Sequence, residues 1–215
     1  MEAIEAEYLR KRIDSLLQAL KERKFEACFF ETSAEAKTFL LSQIQPGETV
    51  GIGGSVTLRE NLQIGQEVRK KGNTVYDHWE ADNDPIRRLE LKRSHRGVDV
   101  FLSSTNAIAA DGTLVNLDGG GNRVASLCSG PKRVFVVAGR NKLVSSVDEA
   151  IQRTRQRAAV LRVLRGKFKT PCEVTGVCSD CRSPQRICSA LLILMQKPAD
   201  IDRFTVVLVN EEMGY

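Results

Sequence analysis

The chain has 215 residues, of which 42% are hydrophobic and 27% are charged, and its net charge is +5. This composition is typical of an ordinary globular protein with one large domain or two small ones. No run of about 18 apolar residues is present, which excludes a membrane helix at the level of sequence. The charged N-terminal stretch MEAIEAEYLRKR does not resemble a signal peptide, so we expect a cytoplasmic protein without membrane attachment. The charge is too mild to favour nucleic acid as the partner.

The first predicted element is an amphipathic helix over residues 1–24. Its apolar residues recur at helical spacing, at Ile4, Leu9, Ile13, Leu16, Leu17 and Leu20. This stripe either covers the body of the protein or pairs with a second subunit in a homo-oligomer. We favour the first interpretation.

Strands and helices then alternate. Strands are predicted at residues 25–30, 50–52, 74–76, 98–102 and 134–137. Capping signals predict helices after them. The signals are TSAE at Thr32, TLRE at Thr57 for a helix to about residue 71, Asp84-Pro85, and SVDE at Ser146 for a helix to about residue 164. This order predicts βαβ units, and therefore an α/β fold with a mostly parallel, open sheet flanked by helices.

The C-terminal part has a different pattern. Residues 191–195 and 204–209 are two β-rich runs, for which we expect a hairpin or an addition to the sheet edge. The predicted organisation is therefore an N-terminal helix at 1–24, an α/β core at 25–165, and a cysteine-rich segment with C-terminal strands at 166–215, a β extension of the same domain.

A glycine-rich turn follows the second predicted strand, in GIGGSVTLRE from Gly51 to Glu60. A strand, a glycine turn and a capped helix form an anion site, because unpaired N–H groups and the helix dipole point at the turn. The stretch lacks GK[ST], and Val56 stands at the third glycine position of a dinucleotide fingerprint, so no ATP or NAD motif is present. We expect ligand contact at Gly53, Gly54, Ser55 and Thr57; the alternative is a tight turn that needs glycine.

A second polar stretch follows the strand at 98–102 and reads SSTNAIAADGTLVNLDGGGNR, from Ser103 to Arg123. Asp111-Gly112 between apolar runs predicts a hairpin. The stretch lies where an α/β sheet usually binds its ligand, and we expect ligand contacts from Asn106, Asp118, Gly119, Gly120, Gly121, Asn122 and Arg123. The alternative is a loop whose polar side chains bind their own backbone.

Three further features each allow two interpretations. Lys142 follows a strand and either binds an anion or belongs to a solvated loop. His78 follows another strand and is either structural or part of the pocket. A basic run at residues 153–169 either forms one wall of an anionic-ligand site or, less favoured, contacts nucleic acid.

Four cysteines cluster in the pattern C-x5-C-x2-C-x6-C, at Cys172, Cys178, Cys181 and Cys188. Four thiolates can hold zinc or an iron–sulfur cluster, although the spacing matches no standard signature. A disulfide and a set of plain reduced thiols are the alternatives.

Several blocks together resemble a known family. GIGGSVTL, STNAIAADGTLVNLDGGGNRVA, GPKRVFVVAGRNK and TPCEVTGVCSDCRSPQRIC are similar to the lactate-utilisation (LUD) domain family. The resemblance implies a fold like that of ribose-5-phosphate isomerases, glucosamine-6-phosphate deaminases and CoA transferases. It also implies a link to iron–sulfur oxidoreductase subunits that oxidise L-lactate to pyruvate. Gly53, Gly54 and Ser55 would match a phosphate-binding loop.

The same resemblance bears on catalysis. The hairpin is similar to that of methylthioribose-1-phosphate isomerase relatives, whose catalytic aspartate corresponds to Asn106 here. An amide cannot act as a general base. We therefore expect a protein that binds a small anionic or phosphorylated metabolite, accessory to lactate or organic-acid oxidation. The alternatives are a stand-alone enzyme acting on a sugar phosphate or CoA ester, and an interaction module with a metal-binding tail.

Overall fold

A computed structural model describes residues 2–81 and 83–215 of the chain. The strands within these residues are β1 Glu26–Phe30, β2 Thr49–Ile52, β3 Thr74–Asp77, β4 Val100–Ser104, β5 Ala107–Ala109, β6 Leu114–Asp118, β7 Arg133–Gly139, β8 Leu143–Val144, β9 Ala190–Leu194 and β10 Arg203–Val209. The α-helices are α1 Glu2–Glu22, α2 Ser33–Gln43, α3 Ile64–Lys70, α4 Pro85–Ser94, α5 Asn122–Cys128, α6 Val147–Arg153, α7 Ala159–Gly166 and α8 Pro171–Thr175.

The main layer is a six-stranded sheet in the order β1-β10-β7-β4-β2-β3, and all of its pairings are parallel. A smaller sheet has the order β8-β5-β6-β9. The prediction of an α/β fold with a mostly parallel sheet is therefore confirmed. Because every main strand runs in the same direction, the loops that follow them gather along one edge, where α/β proteins bind ligands.

Both faces of the main sheet are covered. One core cluster joins Leu16 and Leu20 of α1 to Phe101 of the sheet, and another packs Leu40 of α2 against the opposite face. The apolar stripe of α1 thus covers the body, as favoured from the sequence, although Ile4 at its start is 71% exposed. None of the helices in the described ranges combines the length and apolarity needed to cross a bilayer.

The capping predictions had different outcomes. The box at Thr32 is confirmed, because its hydroxyl accepts from Glu35 N and the Glu35 carboxylate accepts from Thr32 N. The box at Thr57 is wrong. Residues Thr57–Asn61 form a π-helix, and the hydroxyl of Ser55 accepts from Leu58 N instead. The predicted helix is also interrupted at Gln63, whose φ of 49° lies in the left-handed region.

The two C-terminal strands do not form a hairpin. β9 pairs antiparallel with β6, whereas β10 lies inside the main sheet between β1 and β7. The burial of β10 explains the difference, because six of its seven residues are buried and its apolar run suits a strand covered on both faces. The predicted C-terminal extension therefore supplies an interior strand.

Candidate functional site

A cleft of about 910 Å³ opens at the carboxyl ends of the main strands. The loop after β2 and the β5–β6 hairpin region contribute neighbouring parts of its lining. Of the twelve ligand residues expected from the sequence, the cleft is lined by Gly54, Ser55, Thr57, Asn106, Asp118, Gly119, Gly120, Asn122, Arg123 and Lys142. Gly53 and Gly121 do not line it. Gly53 N donates to Leu102 O within the sheet, and Gly121 is the left-handed residue before α5.

The cleft is strongly cationic. Eight basic side chains line it: Arg88, Lys92, Arg123, Lys142, Arg162, Arg165, Lys167 and Arg186. Among the described lining residues, Asp118 is the single acidic side chain. Arg165 and Arg186 pair with Glu60 and Asp180, which lie outside the lining. Arg162, Arg165 and Lys167 belong to the basic run at residues 153–169, whereas Arg88, Lys92 and Arg186 were not identified from the sequence.

Five of these cations have no carboxylate within ion-pair distance in residues 2–81 and 83–215. They are Lys92, Arg123, Lys142, Arg162 and Lys167. Like charges gathered in one cleft repel one another and raise the local concentration of anions. The arrangement therefore favours an anionic ligand.

The loop after β2 adds backbone donors. Gly54, Ser55 and Val56 line the cleft, and in the described part of the chain their N–H groups donate to no protein acceptor. A Cβ atom at Gly54 would lie 2.8 Å from Nε1 of Trp79 and 3.1 Å from the His78 ring. Glycine at this position is therefore required by close packing, and it keeps the backbone near the space that a ligand would occupy.

Trp79 was not identified from the sequence, although it is the single tryptophan of the chain. Its ring is flanked by three guanidinium groups, with Arg59 at 4.4 Å, Arg165 at 5.2 Å and Arg162 at 5.9 Å from the centroid. Such contacts hold arginine side chains over the aromatic face. Trp79 thereby organises part of the cationic wall, and its buried Nε1 has no partner among the described residues.

His78 also reaches the cleft. Its ring lies 5.6 Å from that of His95, a proximity that the sequence separation had hidden. Burial, and then the charge of His95, lower the pKa of His78 to about 3. The His78 imidazole is therefore neutral near pH 7, and its buried Nδ1 has no partner in the described chain.

Lys142 is the most deeply placed cation of the site. Its side chain belongs to the turn after β7, is 3% exposed, and lines the cleft. The Nζ atom lies 2.6 Å from the Ser104 hydroxyl and 3.2 Å from the Thr57 hydroxyl. Burial, followed by the charges of Arg153 and Arg123, lowers the pKa of Lys142 to about 7. The alternative of a solvated loop does not describe this side chain.

Arg123 and Asn106 form a local network. Arg123 donates from Nη1 to Asn116 Oδ1 at 2.7 Å and from Nη2 to Leu117 O at 2.7 Å. Nη2 also donates to Asn106 Oδ1 at 3.0 Å, an oxygen that accepts from Leu117 N as well. Burial lowers the pKa of Arg123, and Asp118 opposes that effect. Much of the hydrogen-bonding capacity of both residues is thus used inside the protein.

The carboxylate of Asp118 accepts hydrogen bonds from three backbone N–H groups of the following segment. One carboxylate oxygen accepts from Gly120 N at 3.1 Å, and the other accepts from Arg123 N at 2.9 Å and Val124 N at 3.3 Å. These are the first N–H groups of α5 and its preceding loop. Asp118 therefore occupies one N–H group of the glycine run and two N–H groups of the first turn of α5, which an anion would otherwise use.

The four clustered cysteines line one small cavity of about 20 Å³, together with Arg155 and Arg186. All four are free thiols, so the disulfide alternative is not realised. Burial raises the pKa of Cys188, and the charges of the other three cysteines act in the same direction. Within the described ranges, no three His, Cys, Asp or Glu side chains stand together as a ready metal-binding group.

The cysteine cavity adjoins the cleft. Arg186 and Ile187 line both spaces, and a Cβ atom at Gly119 would lie 2.9 Å from Ile187 O. The guanidinium of Arg186 also donates to Cys181 O and Cys188 O, at 2.6 and 2.8 Å. The conformation of the cysteine segment therefore sets one wall of the cationic cleft.

A family model and one solved structure correspond to nearly the whole chain. The family model described as LUD domain matches residues 13–209. The fold is similar to the crystal structure of a DUF162 family protein from Deinococcus radiodurans, with a TM-score of 0.51 and 12% identity over 94% of this chain and 98% of that one. The crystal structure of eIF2B beta from Chaetomium thermophilum gives a TM-score of 0.39 and 13% identity, over 54% of this chain and 44% of that chain. A search of curated proteins finds no match.

Proposed function

The chain belongs to the LUD domain family, and on that premise we propose that its cleft binds a small anionic or phosphorylated metabolite in lactate or other organic-acid oxidation. The observation that carries this proposal is the charge of the cleft of about 910 Å³, whose described lining has eight basic side chains and one acidic side chain. The family's association with lactate utilisation supports an organic acid, or a phosphorylated compound used with it, as the ligand. Iron–sulfur oxidoreductase subunits are the partner class that the same association favours.

The geometry supports anion recognition by several independent donors. The unpaired N–H groups of Gly54, Ser55 and Val56 offer directed hydrogen bonds. Lys92 and Arg162 add charge, and neither has an ion-paired carboxylate in the part of the chain that the structure describes. Backbone N–H groups combined with lysine and arginine are the usual means of binding phosphate and carboxylate in proteins.

Fluorescence of Trp79 provides a direct test, since this tryptophan is the only one in the chain and lines the cleft. Titration with inorganic phosphate, lactate, pyruvate, sugar phosphates and CoA should change its emission for at least one anion. Lys92→Gln should weaken that binding about tenfold, as expected for the loss of one charged contact. Lys70→Gln removes a lysine outside the cleft and should leave the affinity unchanged.

The panel also tests the alternative of a stand-alone enzyme. Turnover of a sugar phosphate or a CoA ester would favour that alternative over an accessory binding role. No emission change with any of the anions at millimolar concentration, in a folded protein, would contradict the proposed function.

We also propose that the cysteine cavity holds zinc or an iron–sulfur cluster. The specific observation is that Cys172, Cys178, Cys181 and Cys188 surround one cavity, although they span 17 residues of sequence. Thiolates are the ligands that both groups prefer, and the nearby guanidinium groups of Arg155 and Arg186 offset their negative charge. Because no ready set of three ligands is present in the described chain, binding has to draw the thiols inward.

Either group would have a defined consequence here. Zinc would hold the segment that supplies Arg186 to the cleft, and an iron–sulfur cluster would in addition supply one-electron chemistry beside the ligand. Elemental analysis and a visible spectrum of anaerobically purified protein distinguish the two. The proposal would be contradicted if anaerobically purified protein contained neither metal and also failed to take up zinc, or iron and sulfide, when these are added.

A further inference from the structure

Lys142 lies where three neighbouring parallel strands end. It follows β7, its Nζ contacts Ser104 at the end of β4, and it also contacts Thr57 just after β2. The backbone of Gly214 packs against the site from another side. A Cβ atom built there would lie 2.6 Å from Thr57 Oγ1 and 3.5 Å from Lys142 Nζ. The amine is therefore held in one place at the floor of the cleft.

The surroundings of this amine do not stabilise a positive charge. In the described residues its polar contacts are two neutral hydroxyl groups, and no carboxylate lies within ion-pair distance. The charged groups that act on it are the guanidinium groups of Arg123 and Arg153, both of the same sign as an ammonium ion. A purely structural lysine in such a place would be costly, because a buried charge is normally paired.

A neutral lysine amine is a nucleophile. Desolvation and a neighbouring cation are the two means by which proteins produce one, and both act on Lys142. At pH 7 its neutral fraction is larger than that of an ordinary surface lysine by roughly a thousandfold.

We propose that Lys142 forms an imine with the carbonyl carbon of a small anionic substrate in the cleft. The lone pair of Nζ adds to the carbonyl carbon, and one proton passes from the nitrogen to the former carbonyl oxygen to give a neutral carbinolamine. A proton from solvent then lets the hydroxyl leave as water, and the product is a protonated imine, so that one proton is consumed and no oxidant or reductant is needed. The hydroxyls of Ser104 and Thr57 lie close enough to Nζ to hydrogen-bond with the departing oxygen.

The substrate class follows from the rest of the cleft. The same space that holds Lys142 carries Lys92 and Arg162, neither of which has a carboxylate within ion-pair distance in the described residues, so the carbonyl compound carries a carboxylate or a phosphate. This inference deepens the proposed function, because it rests on anion binding and assigns the cleft a reactive group.

Reductive trapping tests the inference on the unmodified protein. The full chain is incubated at pH 7 with sodium cyanoborohydride and either pyruvate or dihydroxyacetone phosphate, as the carboxylate and phosphate probes. Intact mass and peptide mapping should show one adduct per chain, located on Lys142. Modification of Lys142 should exceed that of the exposed, ion-paired Lys11 and Lys70 at least tenfold.

Two variants serve as controls. Lys142→Arg keeps a cation at the same position but has no amine that forms an imine, and it should lose the adduct. Lys70→Arg changes an exposed lysine outside the cleft and should retain the adduct on Lys142. Because the principal readout is the modified peptide of the wild-type protein, the test stands even where Lys142→Arg folds poorly.

The outcomes separate this inference from the proposed function. Phosphate binding by Trp79 fluorescence, combined with no adduct at Lys142 for either probe, would overturn the imine and leave anion binding intact. Adducts spread evenly over exposed lysines would overturn it as well. An adduct at Lys142 that inorganic phosphate suppresses would support both.

Discussion

The side-chain oxygen of Asn106 lies 3.0 Å from Nη2 of Arg123 and 2.8 Å from the backbone nitrogen of Leu117. This amide oxygen thus connects the β5–β6 hairpin to Arg123, a basic residue that lines the cleft. The contact gives Asn106 a structural role at the position where isomerase relatives are expected to have an acid.

Replacement of Asn106 by leucine should therefore destabilise the protein. It leaves a guanidinium and a backbone N–H of the partly buried network without their acceptor, at a cost of about 1–3 kcal/mol. Urea unfolding measures this loss. Asn106→Asp is the matched control, because it keeps the acceptor and pairs with Arg123, so its stability should stay closer to that of the wild type. Equal stability of the leucine variant would contradict the structural role.

Gly54→Ala should disturb the cleft more than Gly120→Ala. A Cβ atom at Gly54 meets Trp79 at 2.8 Å, whereas one at Gly120 meets Asn122 Oδ1 at 3.3 Å and the flexible end of Lys92 at 3.7 Å. We expect about 1–3 kcal/mol of destabilisation and a shifted Trp79 emission for Gly54→Ala only. Thermal or urea unfolding followed by fluorescence gives both quantities, and similar behaviour of the two variants would refute the packing argument.

The stability of the protein should depend on pH through Lys142. Its pKa is about 7 in the folded chain and near 10.4 when unfolded, so between these values the unfolded state binds the additional proton. The free energy of unfolding should thus rise with pH in this window, by up to about 1.4 kcal/mol per pH unit. Below about pH 7 the ionisation of Lys142 should contribute no pH dependence.

Comparison with Lys142→Met isolates this term, because the methionine side chain fills similar space and does not titrate. The difference in unfolding free energy between the wild type and the variant should grow in favour of the wild type from pH 7 to pH 9. A constant difference over that range would show that Lys142 stays protonated in the folded state.

The rate of imine trapping should have a related dependence on pH. The reacting form of Lys142 is the neutral amine, and the charged groups that act on it, Arg123 and Arg153, keep their charge over the range tested. The initial rate with pyruvate should rise through about pH 7 and approach a plateau above it. A rate that keeps rising tenfold per unit to pH 9 would indicate an ordinary lysine.

Loss of single cysteines should test the metal proposal. Cys178→Ser and Cys181→Ser should each lower the bound zinc or iron per chain at least severalfold, because each removes one of four thiolates. Cys128→Ser is the control, since that half-buried cysteine lies outside the cavity. Metal content is measured on anaerobically purified proteins, and equal loss in all three variants would argue against the cavity as the site.

Several features could be predicted because their causes are local. The alternation of apolar runs with capped helices predicted the parallel sheet, and Asp84 caps α4 through Ile86 N and Arg87 N as its sequence indicated. The Asp111-Gly112 turn between β5 and β6 likewise needed only its own residues, with Gly112 at φ 86°. The glycine loops could be placed at strand ends for the same reason.

Other features depend on contacts between distant residues. The capping prediction at Thr57 was wrong because the segment packs around the cleft as a π-helix, with its threonine turned toward Lys142. The basic run at residues 153–169 was considered as one wall of an anionic-ligand site, but its sequence cannot tell which of its arginines face Trp79. Asp118 accepts from Gly120 N of the glycine run and from Arg123 N and Val124 N of α5, a partner set that only the fold decides.

By itself, the sequence determined the α/β class, the polar loops that end its strands, and the four cysteines held within a short segment, because each depends on spacing along the chain. Only the tertiary structure decided that β10 is an interior strand and that Lys142 is buried beside hydroxyls 38 and 85 residues away. Burial of both faces of the sheet selects the strand order, and that order brings the ends of β2, β4 and β7 together. The electrostatic surroundings of Lys142 are therefore a property of the folded chain, which the local pattern around residue 142 does not contain.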